Sequence, residues 1–355
     1  MEKIKNIEML RFLFSLSIVC VHFRTYILKP FLSDIHLYKS LYQNFIWSQY
    51  ALDFFFIIAG FFLFLKTNFL QNFYDFAKKK FLRFFPLVAY MMVLYFVASL
   101  FTPIKFLGLD NIFTLLNLQN CGLTLQYGND GPLWFLSALF WGMSFYFYLF
   151  KIIDKRWFNL ITACIVFFSY AILLHHPGKN VTNIWYVINI GMLKALGGLG
   201  LGYFVCQVYQ DKLLSLKKSL FTLPQQIFCS ISELVLFGFV IMCLFYQRTG
   251  YDNFMILIVS FIGLFLLFLT NKGFLSRLLN NDLAIFLGQF SFSIFVSHSL
   301  VLQLWRAVLY PKQCEWIINH PILNLLAVWL IVFIFGIATY YFVEKPAAKY
   351  LKKKI

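Results

Sequence analysis

Two ionisable side chains, Arg11 and His22, lie inside the first apolar stretch of the chain, residues 7–26. In a helix, eleven residues make about three turns, so both side chains project from nearly the same face, roughly 16 Å apart along the axis. A neutral imidazole can accept a proton at neutral pH, and a guanidinium can bind an anion or polarise a carbonyl. Ionisable groups inside an apolar segment are costly and are therefore candidate functional residues. The alternative is that Arg11 reaches the lipid headgroups and His22 packs against a neighbouring helix.

Three further charged residues could take part in the same chemistry. Lys80 and Arg83 have the spacing K-x-x-R, which places them one turn apart at the predicted start of the third apolar segment. Such a pair suits a nucleotide phosphate, although basic residues at this position also set membrane topology. Asp53, early in the second segment, could orient His22 through a hydrogen bond, or it could lie at the membrane interface.

Two more residues are candidates for substrate contacts. His298 follows three serines in SFSIFVSHS. Its segment is predicted to run from inside to outside, which places His298 in the outer half of the membrane, level with His22. It could bind a substrate or assist proton removal, or simply form a hydrogen bond between helices. Trp134 begins the fourth segment and could stack on a sugar ring or lie at the membrane interface. Lys194 and Glu233, each within an apolar segment, could form an ion pair with each other or line a polar cavity.

The composition restricts the class of protein. Of 355 residues, 61% are hydrophobic and 12% are charged, which excludes a soluble domain and predicts a polytopic membrane protein. The net charge of +16 comes from short basic clusters between apolar runs, which favours contact with anionic lipid headgroups and a role in membrane topology, so we expect no nucleic-acid partner. The seven cysteines lack metal-ligand spacing, so we expect no metal and no disulfide scaffold, with a Cys121–Cys314 bridge as the alternative.

Ten apolar segments are long enough to cross a bilayer, which predicts an all-α membrane protein forming one domain over residues 1–355. They are residues 7–26, 46–65, 84–101, 132–150, 157–174, 184–208, 227–246, 253–270, 283–305 and 321–343. With the N-terminus inside, inner segments carry 20 Lys and Arg, whereas the outer loops, counted together with Arg24 at the outer end of the first segment, carry 8, so both termini are predicted to be cytoplasmic. The outer loop at 102–131 is long and leads into the fourth segment through GNDGP, residues 128–132, and we expect it to fold over the outer face or dip into it.

Five stretches, in order along the chain, resemble motifs of the acyltransferase-3 family of bacterial inner-membrane acyltransferases. They are Arg11 to His22, ALDFFFIIAGFFL at 51–63, KKKFLRFFPLVAY at 78–90, GPLWFLSALF at 131–140, and LGQFSFSIFVSHSL at 287–300, with YYFVEKP near the C-terminus. Together they are distributed, at suitable spacing, across nearly the whole chain. Two residues differ from the pattern of the family. Ala59 stands where the family usually has Ser, and Lys80 stands where Arg is common. Lys80 keeps the positive charge but cannot form the paired hydrogen bonds that an arginine side chain makes.

The resemblance implies transfer of an acyl group, most often acetyl, from cytoplasmic acetyl-CoA to a hydroxyl of a carbohydrate at the outer face. The acceptor would be a cell-surface polysaccharide, such as lipopolysaccharide, or its lipid-linked precursor, in the inner membrane of a bacterium. A donor with phosphates requires cations at the inner side, for which we expect Arg11, Lys80 and Arg83. A hydroxyl acceptor requires a base, for which we expect His22, as a general base or as a transient acyl-imidazole.

Other functions are compatible with parts of this pattern. An exporter of a glycan or an acyl donor would also contain many helices with polar residues between them. Paired halves would favour a transporter, and the sequence contains no internal repeat. A non-catalytic membrane scaffold would not require Arg11 and His22 on one face of a buried helix. Another acyl group, such as succinyl, also remains open.

Overall fold

The computed structural model describes residues 4–29, 44–119, 128–175, 184–185, 188–245, 252–312 and 320–354. These residues form a bundle of α-helices, as predicted. The helices are α1 (Lys5–Phe23), α2 (Ala51–Lys66), α3 (Phe73–Phe101), α4 (Gly108–Leu115), α5 (Trp134–Ile152), α6 (Lys155–His175), α7 (Ile190–Val208), α8 (Leu214–Lys218), α9 (Leu223–Phe245), α10 (Asp252–Thr270), α11 (Phe274–Leu278), α12 (Asp282–Gly288), α13 (Ser291–Lys312), α14 (Pro321–Thr339) and α15 (Lys345–Lys354).

Shorter elements extend or precede some of these helices. Strands β1 (Ile184–Trp185) and β2 (Ile188–Asn189) pair antiparallel immediately before α7. The remaining elements are 3₁₀ turns at Phe45–Tyr50 and Gly131–Leu133 and π-helical turns at Arg24–Leu28, Tyr209–Leu213 and Tyr340–Glu344.

The lengths and apolar character of the helices agree with a polytopic membrane protein. Among the described residues, eight helical segments are long and apolar enough to cross a bilayer, and the bent pair α12 and α13 gives a ninth. The one remaining predicted segment, residues 253–270, coincides with α10, which is apolar over a shorter stretch, Phe254–Thr270. The number of spans and the side of each terminus stay predictions.

Helices α2 and α7 pack together through glycines. A Cβ on Gly202 would lie 2.2 Å from the Ile57 carbonyl oxygen, and one on Gly60 would lie 2.2 Å from the Leu199 carbonyl oxygen. Small residues allow this approach between backbones, which is a usual way for helices to associate in lipid. The contact fixes the position of Asp53 on α2 relative to Lys194 on α7.

The first turn of α1 is anchored against three other helices. Asn6 Nδ2 donates to the carbonyl oxygens of Phe268, at the end of α10, and of Ser276, on α11. A Cβ on Gly288 of α12 would lie 2.5 Å from Glu8 Cβ, so only glycine allows this approach. These contacts hold Glu8 and Arg11 at one end of the bundle, which we call the basic end because Lys80 and Arg83 also lie there.

The described parts of the 102–131 loop fold back onto the bundle, as predicted. Ser137 Oγ and Trp141 Nε1 of α5 both donate to the Asn117 carbonyl oxygen, at 2.6 and 2.9 Å. Asn129 Oδ1 accepts from Leu107 N and from Asn111 Nδ2. The described parts of the loop therefore lie at the opposite end of the bundle, which we call the loop end.

Two expectations from the sequence are corrected by the structure, and a third concerns residues that the structure does not describe. The predicted ion pair between Lys194 and Glu233 is wrong, because Lys194 pairs with Asp53 and Glu233 accepts from the Ser276 backbone N–H. Lys80 and Arg83 do not begin their helix, since α3 begins at Phe73 with Asn72 as its N-cap. The cysteines of the Cys121–Cys314 alternative lie outside the described residues.

Candidate active site

The imidazole rings of His22 and His298 are neighbours in the structure. Helices α1 and α13 pack together, and the two ring centroids lie 4.9 Å apart. His298 is fully buried, whereas His22 is half-buried. The prediction that the two histidines lie at one level is confirmed. Two side chains that can accept a proton are therefore neighbours inside the bundle.

The hydrogen bonding of His298 determines which of its ring nitrogens is basic. His298 Nδ1 lies 2.6 Å from the Phe295 carbonyl oxygen, one turn earlier in the same helix. A carbonyl oxygen can only accept, so Nδ1 carries the hydrogen, and in the neutral ring Nε2 carries the lone pair. Nε2 has no hydrogen-bond partner among the described residues. The buried histidine thus has an unoccupied acceptor.

His22 lies toward the loop end of its span. The span begins at Lys5 and is continued by the π-helical turn to Leu28, six residues beyond His22 or about 9 Å at the rise of a helix. Arg11 lies six residues from the other end. An acyl donor bound near Arg11 would therefore have to extend along α1 to reach His22.

The predicted cations Arg11 and Arg83 come together at the basic end. Arg11 Nη1 forms an ion pair with Glu8 Oε2 at 2.9 Å, and the Arg11 side chain is 26% exposed. Arg83 interacts electrostatically with Arg11, Glu8 and Glu344, and with Lys80 one turn earlier on α3. Glu344 lies in the last π-helical turn and accepts from Ser293 Oγ at 2.6 Å.

The charges at the basic end fit a phosphate-bearing ligand in part. Three cations face two carboxylates, which leaves an excess of positive charge for an anion. Arg83 is exposed and Lys80 half-buried, with its Nζ 5.2 Å from the centroid of the Phe76 ring. Arg11, in contrast, is already engaged by Glu8. Lys80 and Arg83 are therefore the better placed of the three for binding a phosphate.

Asp53 is paired with a lysine on another helix. Its side chain is fully buried, and Oδ2 accepts from Lys194 Nζ at 2.9 Å. The same ammonium lies 4.6 Å from the centroid of the Tyr50 ring. This ion pair connects α2 to α7, and the role of Asp53 in orienting His22 stays a prediction.

Trp134 is enclosed by aromatic side chains. It is 5% exposed, and its ring lies 6.3 Å from the Phe56 ring and 6.2 Å from the Phe135 ring, measured between centroids. A ring packed in this way contributes to the core between α2 and α5. Stacking of Trp134 on a sugar stays a prediction.

Comparison with known protein families identifies the class of protein to which this chain belongs. The model of the acyltransferase-3 family, described as an acyltransferase domain, matches residues 4–343, nearly the whole chain. The chain belongs to this family. The resemblance inferred from the five motifs is confirmed, and the protein is a membrane acyltransferase. No curated protein and no solved structure matches it.

In this acyltransferase, polar side chains continue from the two histidines to the loop end. Gln303 Nε2 lies within hydrogen-bond distance of Tyr95 Oη, Ser299 Oγ and the Asn129 carbonyl oxygen, at 3.1, 3.2 and 3.0 Å. Tyr95 Oη donates to Ser299 Oγ at 3.2 Å. The Tyr26 ring stacks on His22 with centroids 6.2 Å apart. Asp130 interacts electrostatically with Tyr26 and Tyr95. We call Tyr26, Tyr95, Ser299, Gln303 and Asp130 the outer polar cluster.

The sequence analysis did not identify this cluster. Ser299 and Gln303 lie four residues apart on the helix of His298, a spacing that places both on one face and that could have indicated it. Asp130 stands in a turn-rich sequence, GNDGP, where an aspartate usually marks only an exposed turn. Its complete burial becomes visible only in the folded chain.

Proposed function

We propose that the acyltransferase moves an acetyl group from cytoplasmic acetyl-CoA to a hydroxyl of a cell-surface polysaccharide, such as lipopolysaccharide, or of its lipid-linked precursor. The bacterial inner membrane would be the place of reaction. The observation that carries the proposal is the pair of imidazoles, His22 and His298, between the basic end and the outer polar cluster. Membership of an acyltransferase family favours group transfer over the alternative of a transporter.

His22 is the general base in this proposal. It takes the proton of the acceptor hydroxyl as the oxygen attacks the carbonyl carbon of the thioester, so a C–O bond forms. The tetrahedral intermediate collapses, the C–S bond breaks, and the CoA thiolate leaves with the proton from the imidazolium. The products are the acetyl ester and CoA, and His22 is neutral again.

His298 supports this role from the neighbouring helix. Its Nε2 lone pair can accept a hydrogen bond from the acceptor hydroxyl or from His22, and either contact orients the proton that is transferred. The same pair would also serve a reaction through an acyl-imidazole on His22, with His298 then removing the proton of the hydroxyl.

The donor is held at the basic end. Lys80 and Arg83 bind the phosphates of the donor, and Arg11, held by Glu8, lies between them and His22 on α1. The acyl end of the donor extends along α1 toward the two histidines. The acceptor approaches from the opposite end, so the two substrates meet at His22.

Mass spectrometry of surface glycans tests the proposed reaction. Glycans from cells that contain the gene should be heavier by one acetyl group at the modified sugar than those from a deletion strain. The gene restores the difference when it is returned, and a His22→Ala gene does not. Identical glycan masses in all strains would contradict the proposal.

A further inference from the structure

Asp130 carries a buried carboxyl group that has no hydrogen-bond partner in the described part of the chain. It is 0% exposed, and neither of its carboxyl oxygens has a hydrogen-bond partner among the described residues. It precedes the 3₁₀ turn Gly131–Leu133 at the entrance to α5, but its side chain does not cap that turn. The usual structural reasons for an aspartate at this position are therefore absent from its contacts.

Asp130 lies near the other residues of the outer polar cluster. The carbonyl oxygen of the preceding residue, Asn129, accepts from Gln303 Nε2 at 3.0 Å. Asp130 interacts electrostatically with Tyr26 and Tyr95. Tyr26 in turn stacks on His22. The carboxyl group thus lies near Tyr26, whose ring contacts His22.

An arrangement of this kind is unfavourable in the free protein. Burial raises the pKa of the Asp130 carboxyl well above its usual range. A buried carboxyl group without a hydrogen bond destabilises the folded state, because it has lost its water and gained nothing in exchange. A ligand that supplies the missing hydrogen bond would recover this free energy on binding, so the arrangement favours binding at the expense of stability.

We propose that Asp130 binds the acceptor, by a hydrogen bond to a hydroxyl group of a polyhydroxylated ligand. A sugar ring offers several neighbouring hydroxyls, each both donor and acceptor, which match the carboxyl, hydroxyl and amide groups of the outer polar cluster. One hydroxyl bound at Asp130 would direct a neighbouring one toward His22. This inference rests on the proposed function for the identity of the ligand as acceptor.

Binding of simple glycosides measures the role of Asp130 without catalysis. The protein is placed in lipid nanodiscs, because maltoside detergents are themselves glycosides, and saturation-transfer NMR is recorded with the methyl glycosides of glucose, galactose and N-acetylglucosamine. We expect wild type to bind at least one of them and Asp130→Ala to bind it about 10- to 100-fold more weakly, the usual effect of leaving a buried hydroxyl group of the ligand without its hydrogen-bond partner. Asp110→Ala, which removes a carboxylate from the same loop, should bind as wild type does.

Thermal unfolding of the same samples separates ligand binding from a structural role. Since the Asp130 carboxyl group forms no hydrogen bond with any residue that the structure describes, Asp130→Ala should unfold at the wild-type temperature or above it. Asp130→Asn, which keeps the volume, should behave likewise and retain part of the binding. Equal glycoside binding by wild type and Asp130→Ala, absence of binding by wild type, or a marked fall in the unfolding temperature of both variants would each overturn the inference.

The proposed function can fail independently of this inference. Glycoside binding that depends on Asp130, in a protein that transfers no acetyl group, would support the binding role and contradict the reaction. Acetyl transfer that continues in Asp130→Ala with an unchanged KM for the acceptor would contradict the binding role and leave the reaction intact.

Discussion

The rings of His22 on α1 and His298 on α13 lie 4.9 Å apart, centroid to centroid, although the residues are far apart in the chain. His298 Nδ1 is fixed by the Phe295 carbonyl oxygen, so the lone pair of the neutral ring is on Nε2. One imidazole is thus held in a defined tautomer beside a second that is only half-buried. This relationship gives His22 and His298 different parts in proton transfer, which substitution can separate.

His22→Ala should abolish acetyl transfer while acetyl-CoA binding remains nearly unchanged. Loss of a general base typically lowers the rate by about 10²- to 10⁴-fold, and His22 lies about 16 Å along the helix from Arg11. The measurements are turnover of purified enzyme and calorimetric titration with acetyl-CoA. Near-wild-type turnover would show that His22 only packs, and would move the search for the base to His298.

His298→Asn should lower turnover less than His22→Ala does, by about 10- to 100-fold. The amide nitrogen of asparagine can take over the donation to Phe295, whereas nothing replaces the lone pair on Nε2. Turnover and unfolding temperature are measured together. Wild-type turnover in a folded His298→Asn protein would exclude a part for Nε2 in the reaction.

Lys80→Ala together with Arg83→Ala should weaken acetyl-CoA binding by at least about 10-fold, since charge-assisted hydrogen bonds to phosphate would be lost. Lys78→Ala with Lys79→Ala is the matched control, because both lysines are exposed and belong to the same basic run. Equal affinity of the two double variants for acetyl-CoA would show that Lys80 and Arg83 do not bind its phosphates. Arg11 is a poorer probe, because its loss leaves buried Glu8 without its ion-pair partner.

Reporter fusions test which end of the bundle faces the cytoplasm. The asymmetry of 20 inner to 8 outer basic residues predicts a cytoplasmic C-terminus and an external 102–131 loop. Alkaline phosphatase should therefore be active when inserted in the loop and inactive at the C-terminus, and a fluorescent protein that matures in the cytoplasm should give the reverse. The same compartment at both positions would contradict the predicted arrangement of spans.

Local sequence patterns were sufficient for much of the fold and part of the site. The apolar runs predicted the helices because their length is fixed by the thickness of the bilayer. The level of His298 relative to His22 followed from the direction of successive helices, and the ring contact confirms it. The grouping of Arg11 with Arg83 at the basic end likewise followed from counting helices and loops.

Contacts between distant segments could not be predicted in this way. Lys194 pairs with Asp53, 141 residues away, because glycines bring α2 and α7 together. Periodicity shows that a helix is apolar but does not show which helix lies beside it. The burial of Asp130 depends in the same manner on how the 102–131 loop folds over Gln303, which no pattern within the loop reveals.

The ion pair between Asp53 and Lys194 allows a test of structure against catalysis. Asp53→Leu leaves the ammonium of Lys194 buried without its partner, which typically costs about 3–5 kcal/mol, and thermal unfolding in one detergent should show the loss. The double variant Asp53→Leu/Lys194→Met should recover most of the stability, because a buried ion pair can often be replaced by apolar side chains of similar volume.

Acetyl transfer by the double variant then decides the role of Asp53. If the carboxylate serves only to join α2 and α7, turnover should recover together with stability, and this is the outcome we expect from its contact with Lys194. Turnover that stays low in a double variant as stable as wild type would contradict this expectation. It would instead support Asp53 as the group that orients His22, since stability would no longer account for the loss.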